Sequence, residues 1–364
     1  MRIGIDWRPT YQGRGGIPVY VRGLAAGLAS RYPEDELRLY AHQVRGRLGR
    51  RGRSAAPPPR GARLCAAPFP SRAADALARF GVGADVLVGG ADVFHLTGYS
   101  WLRASNAPLV ATIHDALFEE LPRCYTPAMR TGLRRVTRRI LRGAVRTLVP
   151  SVRTKAALVE RFGADPARVD VVPLAPRALP AVEPARFERP TFLAVGTLEP
   201  RKNLARVLEA FALARARGLV ADLVVAGARG WLDDDLLSTA ARAPGVVVEG
   251  EVDDARLAAL YGGATALVYP SLGEGFGLPV IEAMAAGLPV VTSAATACAE
   301  VAGAAALLVD PYDVDAIADA LARTAGDESF RRELATAGLV RAAGFTWERT
   351  AQGTRACYER AIRG

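Results

Sequence analysis

Short apolar runs rich in β-branched residues alternate with helical patterns along the whole chain, and this alternation constrains the fold more than any other feature. Strand-like runs fall at residues 3–5, 37–40, 93–96, 109–113, 147–149 and 169–172. They recur at 191–195, 223–226, 246–248, 266–269, 289–291 and 306–309. Helical spacing fills most of the intervals, for example 17–30, 204–217, 253–261 and 314–324. The strand runs are almost continuously apolar, so both faces of their sheets should be covered. Repeated strand–helix alternation then predicts parallel, doubly wound α/β sheets.

A chain of 364 residues is long for one core and natural for two. Pro176, Pro180, Pro184 and Pro190 break the pattern between two strand candidates, which is a linker composition. The expected organisation is a Rossmann-like domain over 1–175, a linker over 176–190, a second Rossmann-like domain over 191–345, and a C-terminal helix over 346–364 that packs back toward the first domain. The stretch 46–63, rich in Arg, Gly and Pro, reads as a loop.

Half of the residues are hydrophobic and 23% are charged, which suits large cores and argues against disorder. No apolar run approaches the roughly 18 residues of a membrane span. The start of the chain reads as a strand, not a secretory leader. Cys65, Cys124, Cys298 and Cys357 are scattered, without a CxxC pair, so reduced thiols and a cytoplasmic location are expected. Residues 1–175 carry 28 Lys+Arg against 13 Asp+Glu, whereas the net charge of the whole chain is +10. This bias favours an anionic partner, such as a phosphorylated acceptor or the inner face of an anionic membrane. In 130–146, Leu133, Val136, Ile140 and Ala144 recur at helical spacing among arginines, as in a core helix or one resting on lipid. Nucleic acid is disfavoured, because no aromatics interleave with the basic residues and no recognition motif is present.

Three glycine-bearing loops follow strand candidates, where doubly wound sheets bind ligands. Gly13-Arg14-Gly15-Gly16 precedes a helix, so its amides can approach an anion. Its spacing is not GxGxxG, which argues against a nicotinamide dehydrogenase. Gly196-Thr-Leu-Glu-Pro-Arg-Lys-Asn203 places Arg201 and Lys202 just before a helix with Asn203 as N-cap, a suitable site for a pyrophosphate. The chain uses Arg almost throughout, its only lysines being Lys155 and Lys202, so a compact ammonium is expected to matter at 202. Pro270-Ser-Leu-Gly-Glu-Gly-Phe-Gly-Leu-Pro-Val-Ile-Glu282 sets Glu274 in a glycine loop and Glu282 in the first turn of a helix headed by Pro279. Carboxylates there can accept hydrogen bonds from sugar and ribose hydroxyls. His95 and His114, the latter followed by Asp115, end strand candidates that open on the same side of their sheet. The run Asp233-Asp-Asp235 reads as the polar start of a helix, and no metal site is expected.

These segments together resemble the GT4 family of retaining glycosyltransferases, and its mannosyltransferase branch in particular. Glu274 and Glu282 match the family's Glu-x7-Glu motif, and 196–203 matches its phosphate-binding segment. Gly15-Gly16, His114-Asp115, Val169-Asp-Val-Val-Pro-Leu174 and the segment from Glu300 to Pro311 fit as well. The resemblance implies the GT-B fold, two Rossmann-like domains facing a cleft, and hexose transfer from a nucleotide-diphosphate sugar without a cofactor or metal. The sugar would be mannose from a GDP donor, and the acceptor a glycan, a lipid-linked molecule or a small molecule. Glu282 would hold the donor ribose, and Glu274 with Gly275, Phe276, Gly277 and Leu278 the transferred sugar. Arg201 and Lys202 would neutralise the departing diphosphate, with Gly15 and Gly16 near the phosphates and His114 near the reacting centre. His95 and Asp115 are candidates on the acceptor side. Glu251 and Val252 fall loosely where the family binds the base. Ser293-Ala-Ala-Thr-Ala-Cys-Ala299 departs from the family pattern, which leaves that loop without an assigned donor contact. An epimerase of the same fold and a non-catalytic nucleotide-sugar-binding protein are the competing readings.

Overall fold

The computed structural model describes all residues except Arg14, 43–56, 68–75 and 232–233. The chain divides into two units. The first comprises Met1–Glu119, Thr126–Ala175 and Thr346–Gly364, and the second Glu120–Tyr125 and Pro176–Phe345.

In the first unit, strands β1 (Arg2–Asp6), β2 (Glu36–His42), β3 (Arg63–Ala67), β4 (Val93–Leu96), β5 (Leu109–Thr112), β6 (Arg146–Val149) and β7 (Val169–Val171) form a parallel sheet of order β3-β2-β1-β4-β5-β6-β7. β1 and β4 are buried along most of their length, as expected of strands covered on both faces. β3 is the strand that the sequence pattern does not announce. It lies next to the stretch read as a loop, and its sequence RLCAA contains no β-branched residue.

Helix Trp347–Arg363 packs on helix Gly16–Arg31 in this unit. Glycines make the close approach possible. A Cβ at Gly23 would stand 2.2 Å from Trp347 Cε2, and one at Gly27 would stand 2.5 Å from the Trp347 carbonyl oxygen. Polar pairs fix the register: Arg355 Nε reaches Asp35 at 2.7 Å and Arg360 reaches Asp170 at 3.0 Å. Helix Pro127–Gly143 starts at Thr126, whose hydroxyl accepts the Met129 amide, and it buries Thr137 and Ile140. Its Arg135, Arg138, Arg139 and Arg142 are exposed.

In the second unit, β8 (Thr191–Val195), β9 (Asp222–Ala226), β10 (Val246–Gly250), β11 (Ala266–Tyr269), β12 (Val290–Ser293) and β13 (Leu307–Val309) form a parallel sheet of order β10-β9-β8-β11-β12-β13. Phe192, Phe211, Leu223, Val225, Val268 and Ile317 belong to its core. Residues 176–190 run along this unit. The Ala185 amide donates to Ala259 O at 2.8 Å, and a Cβ at Gly263 would meet Ala185 O at 2.0 Å. Asp234 opens helix Asp234–Arg242, while Asp233 lies outside the described residues. Among the described residues no helix is long and apolar enough to cross a membrane.

Candidate active site

Each strand order reverses once, between β1 and β4 in the first sheet and between β8 and β11 in the second. At such a switch point neighbouring crossovers diverge and leave a crevice beyond the carboxyl ends of the strands. Both crevices carry polar clusters.

In the second unit the chain leaves β8 through Gly196, whose φ of 137° suits glycine. A Cβ at Gly227 would stand 1.8 Å from Gly196 O, so this turn packs backbone against backbone. A 3-10 turn, Pro200–Lys202, then aims two cations at the loop after β11. Lys202 Nζ donates to Glu274 Oε1 at 2.7 Å, and Arg201 Nη1 donates to Glu274 Oε2 at 2.8 Å. The Tyr269 hydroxyl, at the end of β11, donates to Glu274 Oε1 at 2.9 Å and accepts from Lys202. Arg201 Nη2 also pairs with the buried carboxylate of Glu199. Burial works against ionisation of Glu274, but Arg201 and Lys202 outweigh it and hold its pKa down to about 2. Glu274 is therefore a carboxylate with all its charge retained in a buried position.

Asn203 occupies the N-cap position expected of it, but its side chain does not cap the helix. It is the one described non-glycine residue with positive φ, 63°. Its amide nitrogen instead donates to Pro270 O at 2.9 Å and Pro311 O at 2.6 Å. Asn203 thus ties the cation-bearing turn to the loop that carries Glu274, and the Leu272 amide does the same by donating to Arg201 O at 2.8 Å.

That loop ends at Gly277, with φ 103° and with room for no Cβ, since Cys298 Sγ would lie 2.8 Å from one. Helix Leu278–Ala285 follows, with no acidic residue in its first turn. Glu282 therefore belongs to the second turn and not the first, because the helix begins at Leu278, ahead of Pro279. Glu282 is buried, accepts from Arg177 Nε at 3.3 Å and from the Tyr261 hydroxyl at 3.1 Å, and its pKa is raised by burial despite both partners. Arg177 also donates to Asp254 at 2.8 Å. The Phe276 ring is buried against Phe345, at 5.8 Å between centroids.

In the first unit, Asp6 ends β1 fully buried and takes Arg8 Nε and Nη2 at 2.7 Å each. Arg8 Nη2 further donates to Ser100 Oγ at 2.8 Å, and the Thr97 hydroxyl donates to Asp6 O. His114 Nε2 donates to Thr97 O at 2.9 Å, which fixes the tautomer and leaves Nδ1 as an acceptor. Burial lowers the His114 pKa, so the ring is neutral at neutral pH. Gly15 is the N-cap of helix Gly16–Arg31, and both glycines are exposed. Asp115 Oδ1 accepts the Leu117 amide at 3.2 Å.

His95 departs from its expected place on the acceptor side. It is fully buried, with Nδ1 at 2.7 Å from Tyr358 Oη and Nε2 at 2.8 Å from Thr112 Oγ1. Burial, with a smaller contribution from His114, lowers its pKa to about 3. Both ring nitrogens are engaged by hydroxyls, so His95 ties the C-terminal helix to β4 and β5.

The second unit thus brings Arg201, Lys202 and Glu274 into direct contact and sets Glu282 in the helix that follows. Sequence reasoning missed Glu199, Tyr269, Tyr261 and Arg177 there, and Asp6 with Arg8 in the first unit. Two doubly wound parallel units with polar clusters at their switch points are the architecture of the GT-B glycosyltransferases. A family model described as Glycosyltransferase Family 4 matches residues 14–175, and one described as Glycosyl transferases group 1 matches residues 189–327. The chain is 42% identical over 172 residues to O-antigen chain mannosyltransferase B of Escherichia coli, covering 46% of this chain and 45% of that protein. It is 30% identical over 287 residues to the MMP alpha-(1->4)-mannosyltransferase of Mycolicibacterium hassiacum, covering 73% and 68%. Its fold matches that of a sucrose-phosphate synthase from Thermosynechococcus elongatus, with a TM-score of 0.74 and 21% identity over 100% of this chain and 99% of that one. The chain belongs to glycosyltransferase family 4. The match to the Escherichia coli relative spans just under half of that protein's length.

Proposed function

We propose that this protein transfers a hexose, mannose in the first instance, from a nucleotide-diphosphate sugar to a hydroxyl of a glycan, lipid-linked or small-molecule acceptor, with retention at the anomeric carbon. The observation that carries this reading is the contact of Arg201 and Lys202 with Glu274 at the switch point of the second sheet. Breaking the anomeric C–O bond places negative charge on the diphosphate. Two fixed cations in a partly buried crevice stabilise that charge more in the transition state than in the ground state. Glu274 and Glu282, both buried, accept hydrogen bonds from hydroxyls of the sugar and the ribose. This reading assigns the charge stabilisation to protein cations and no step to a metal. The names of the two mannosyltransferase relatives support the choice of sugar, while retention rests on the family resemblance. Gly15, Gly16, His114 and Asp115 keep the roles that the resemblance gives them.

The test is a thermal-shift screen against nucleotide sugars, followed by a transfer assay with and without acceptor. A donor at one hundred times its Kd is expected to stabilise the protein by about 2.7 kcal/mol. Absence of any shift across the nucleotide sugars overturns the reading, and turnover without acceptor replaces it with an epimerase.

The exposed arginines of helix Pro127–Gly143 support peripheral contact with an anionic membrane. Co-sedimentation with anionic vesicles is expected, falling with added salt and absent with neutral vesicles. Equal binding to both vesicle types overturns it.

A further inference from the structure

Glu199 and Glu274 offset Arg201 and Lys202 charge for charge within the second unit's site. The two cations are not equally committed. Arg201 is anchored at Nη2 by Glu199, a carboxylate buried below it, and its Nη1 edge faces Glu274 and Gly273 O. Lys202 divides its ammonium between Glu274 and Tyr269. Glu274 is 7% exposed, so water cannot replace the partners it loses.

A diphosphate that enters this crevice draws on the same donors that Glu274 now holds. When Lys202 and the Nη1 edge of Arg201 turn to phosphate oxygens, Glu274 retains, of its three side-chain donors, the Tyr269 hydroxyl. A buried carboxylate stripped of its cations is costly. A donor that still carries its sugar brings hydroxyl groups that donate to Glu274 and compensate it. A free nucleotide diphosphate has only its ribose hydroxyls, which this reading places on Glu282, and brings none to Glu274.

We propose that Glu274 is the internal counter-ion of the diphosphate subsite: it competes with free diphosphates for Arg201 and Lys202, and so sets the preference of the site for a sugar-bearing donor over the nucleotide diphosphate left after transfer. This inference rests on the nucleotide-sugar reading and adds discrimination and product release to the sugar-holding role of Glu274. Glu199 is the positioning residue of the arrangement, because it keeps Arg201 in place while the Nη1 edge changes partner.

The experiment measures the affinity of the full chain for inorganic pyrophosphate by titration calorimetry, in the wild type, Glu274→Gln and Lys202→Ala. Glutamine keeps the shape and the acceptor oxygen but removes the charge. Glu274→Gln is expected to bind pyrophosphate about tenfold more tightly than the wild type, and Lys202→Ala about tenfold more weakly. If Glu274→Gln binds no more tightly while Lys202→Ala is weakened, the counter-ion role is overturned and the reading of the site stands. If Lys202→Ala binds as the wild type does, or no form binds, both are overturned. Should Glu274→Gln fail to fold by circular dichroism, Glu274→Ala is expected to give the same ranking, and failure to tighten there overturns the proposal equally.

Discussion

Lys202→Ala is expected to lower kcat by about 10²–10³-fold, corresponding to about 2.7–4 kcal/mol of transition-state stabilisation, with a smaller change in the donor KM. The asymmetry follows from where charge appears. In the bound donor the diphosphate charge is shared with a covalently attached sugar, and it grows on the leaving oxygen as the anomeric bond breaks. A fixed point charge therefore contributes more to the transition state than to binding. The variant should remain folded, because Glu274 retains Arg201 at 2.8 Å and Tyr269 at 2.9 Å. Lys202→Arg is not expected to rescue. The Lys202 stem runs past Gly196, where a Cβ would already lie 3.4 Å from Cε, and a planar guanidinium needs more width than an ammonium. Steady-state kinetics with a donor found by thermal shift reads both constants. An unchanged kcat would remove Lys202 from the chemistry, whatever its effect on KM.

The positions of the strands were legible because a parallel sheet covered on both faces demands continuous apolar runs, and such runs are visible without any partner. β3 escaped because it lacks the residues that make such a run visible. The glycine loops that carry Arg201, Lys202 and Glu274 were legible for another reason. A backbone that turns at Gly196 and Gly277 into left-handed conformations needs glycine, and glycine next to charge at a strand end is a local signal. What the sequence hides is who meets whom. Arg177 is one arginine among many, and nothing local distinguishes it from those that face solvent. Tyr269 and Tyr261 look like ordinary core aromatics until their hydroxyls are seen on Glu274 and Glu282. His95 shows the converse. In a strand buried on both faces, sequence alternation does not reveal whether a polar side chain is buried or accessible, and His95 is part of the core. Glu282 was assigned to the first turn and lies at the start of the second, because a proline early in a helix marks its beginning only to within a residue.

Arg177 is expected to matter for stability through the buried carboxylate that it neutralises. Arg177→Ala should destabilise the second unit by about 3–5 kcal/mol at neutral pH, because it removes the cation from a buried carboxylate and leaves that carboxylate in place. Asp254, another partner of Arg177, has a side chain 47% exposed and is solvated without it, so the loss falls mainly on the buried Glu282. The pH dependence separates this cause from lost packing. Burial already raises the Glu282 pKa above its ordinary 4.5, and Arg177 and Tyr261 only partly oppose that shift. Without Arg177 the folded-state value rises further, so the folded variant holds the Glu282 proton more tightly than the unfolded chain does. The stability linked to that proton is fully present below pH 4.5 and is lost as pH rises through the raised folded-state value. Urea unfolding should therefore show a small wild-type-to-variant difference at pH 4.5 and a large one at neutral pH. Adding Glu282→Gln to Arg177→Ala should recover much of the loss, since an amide strands no charge. A difference of equal size at both pH values, unrelieved by the second substitution, would mean that the Arg177 stem and not its charge supports the helix that carries Glu282.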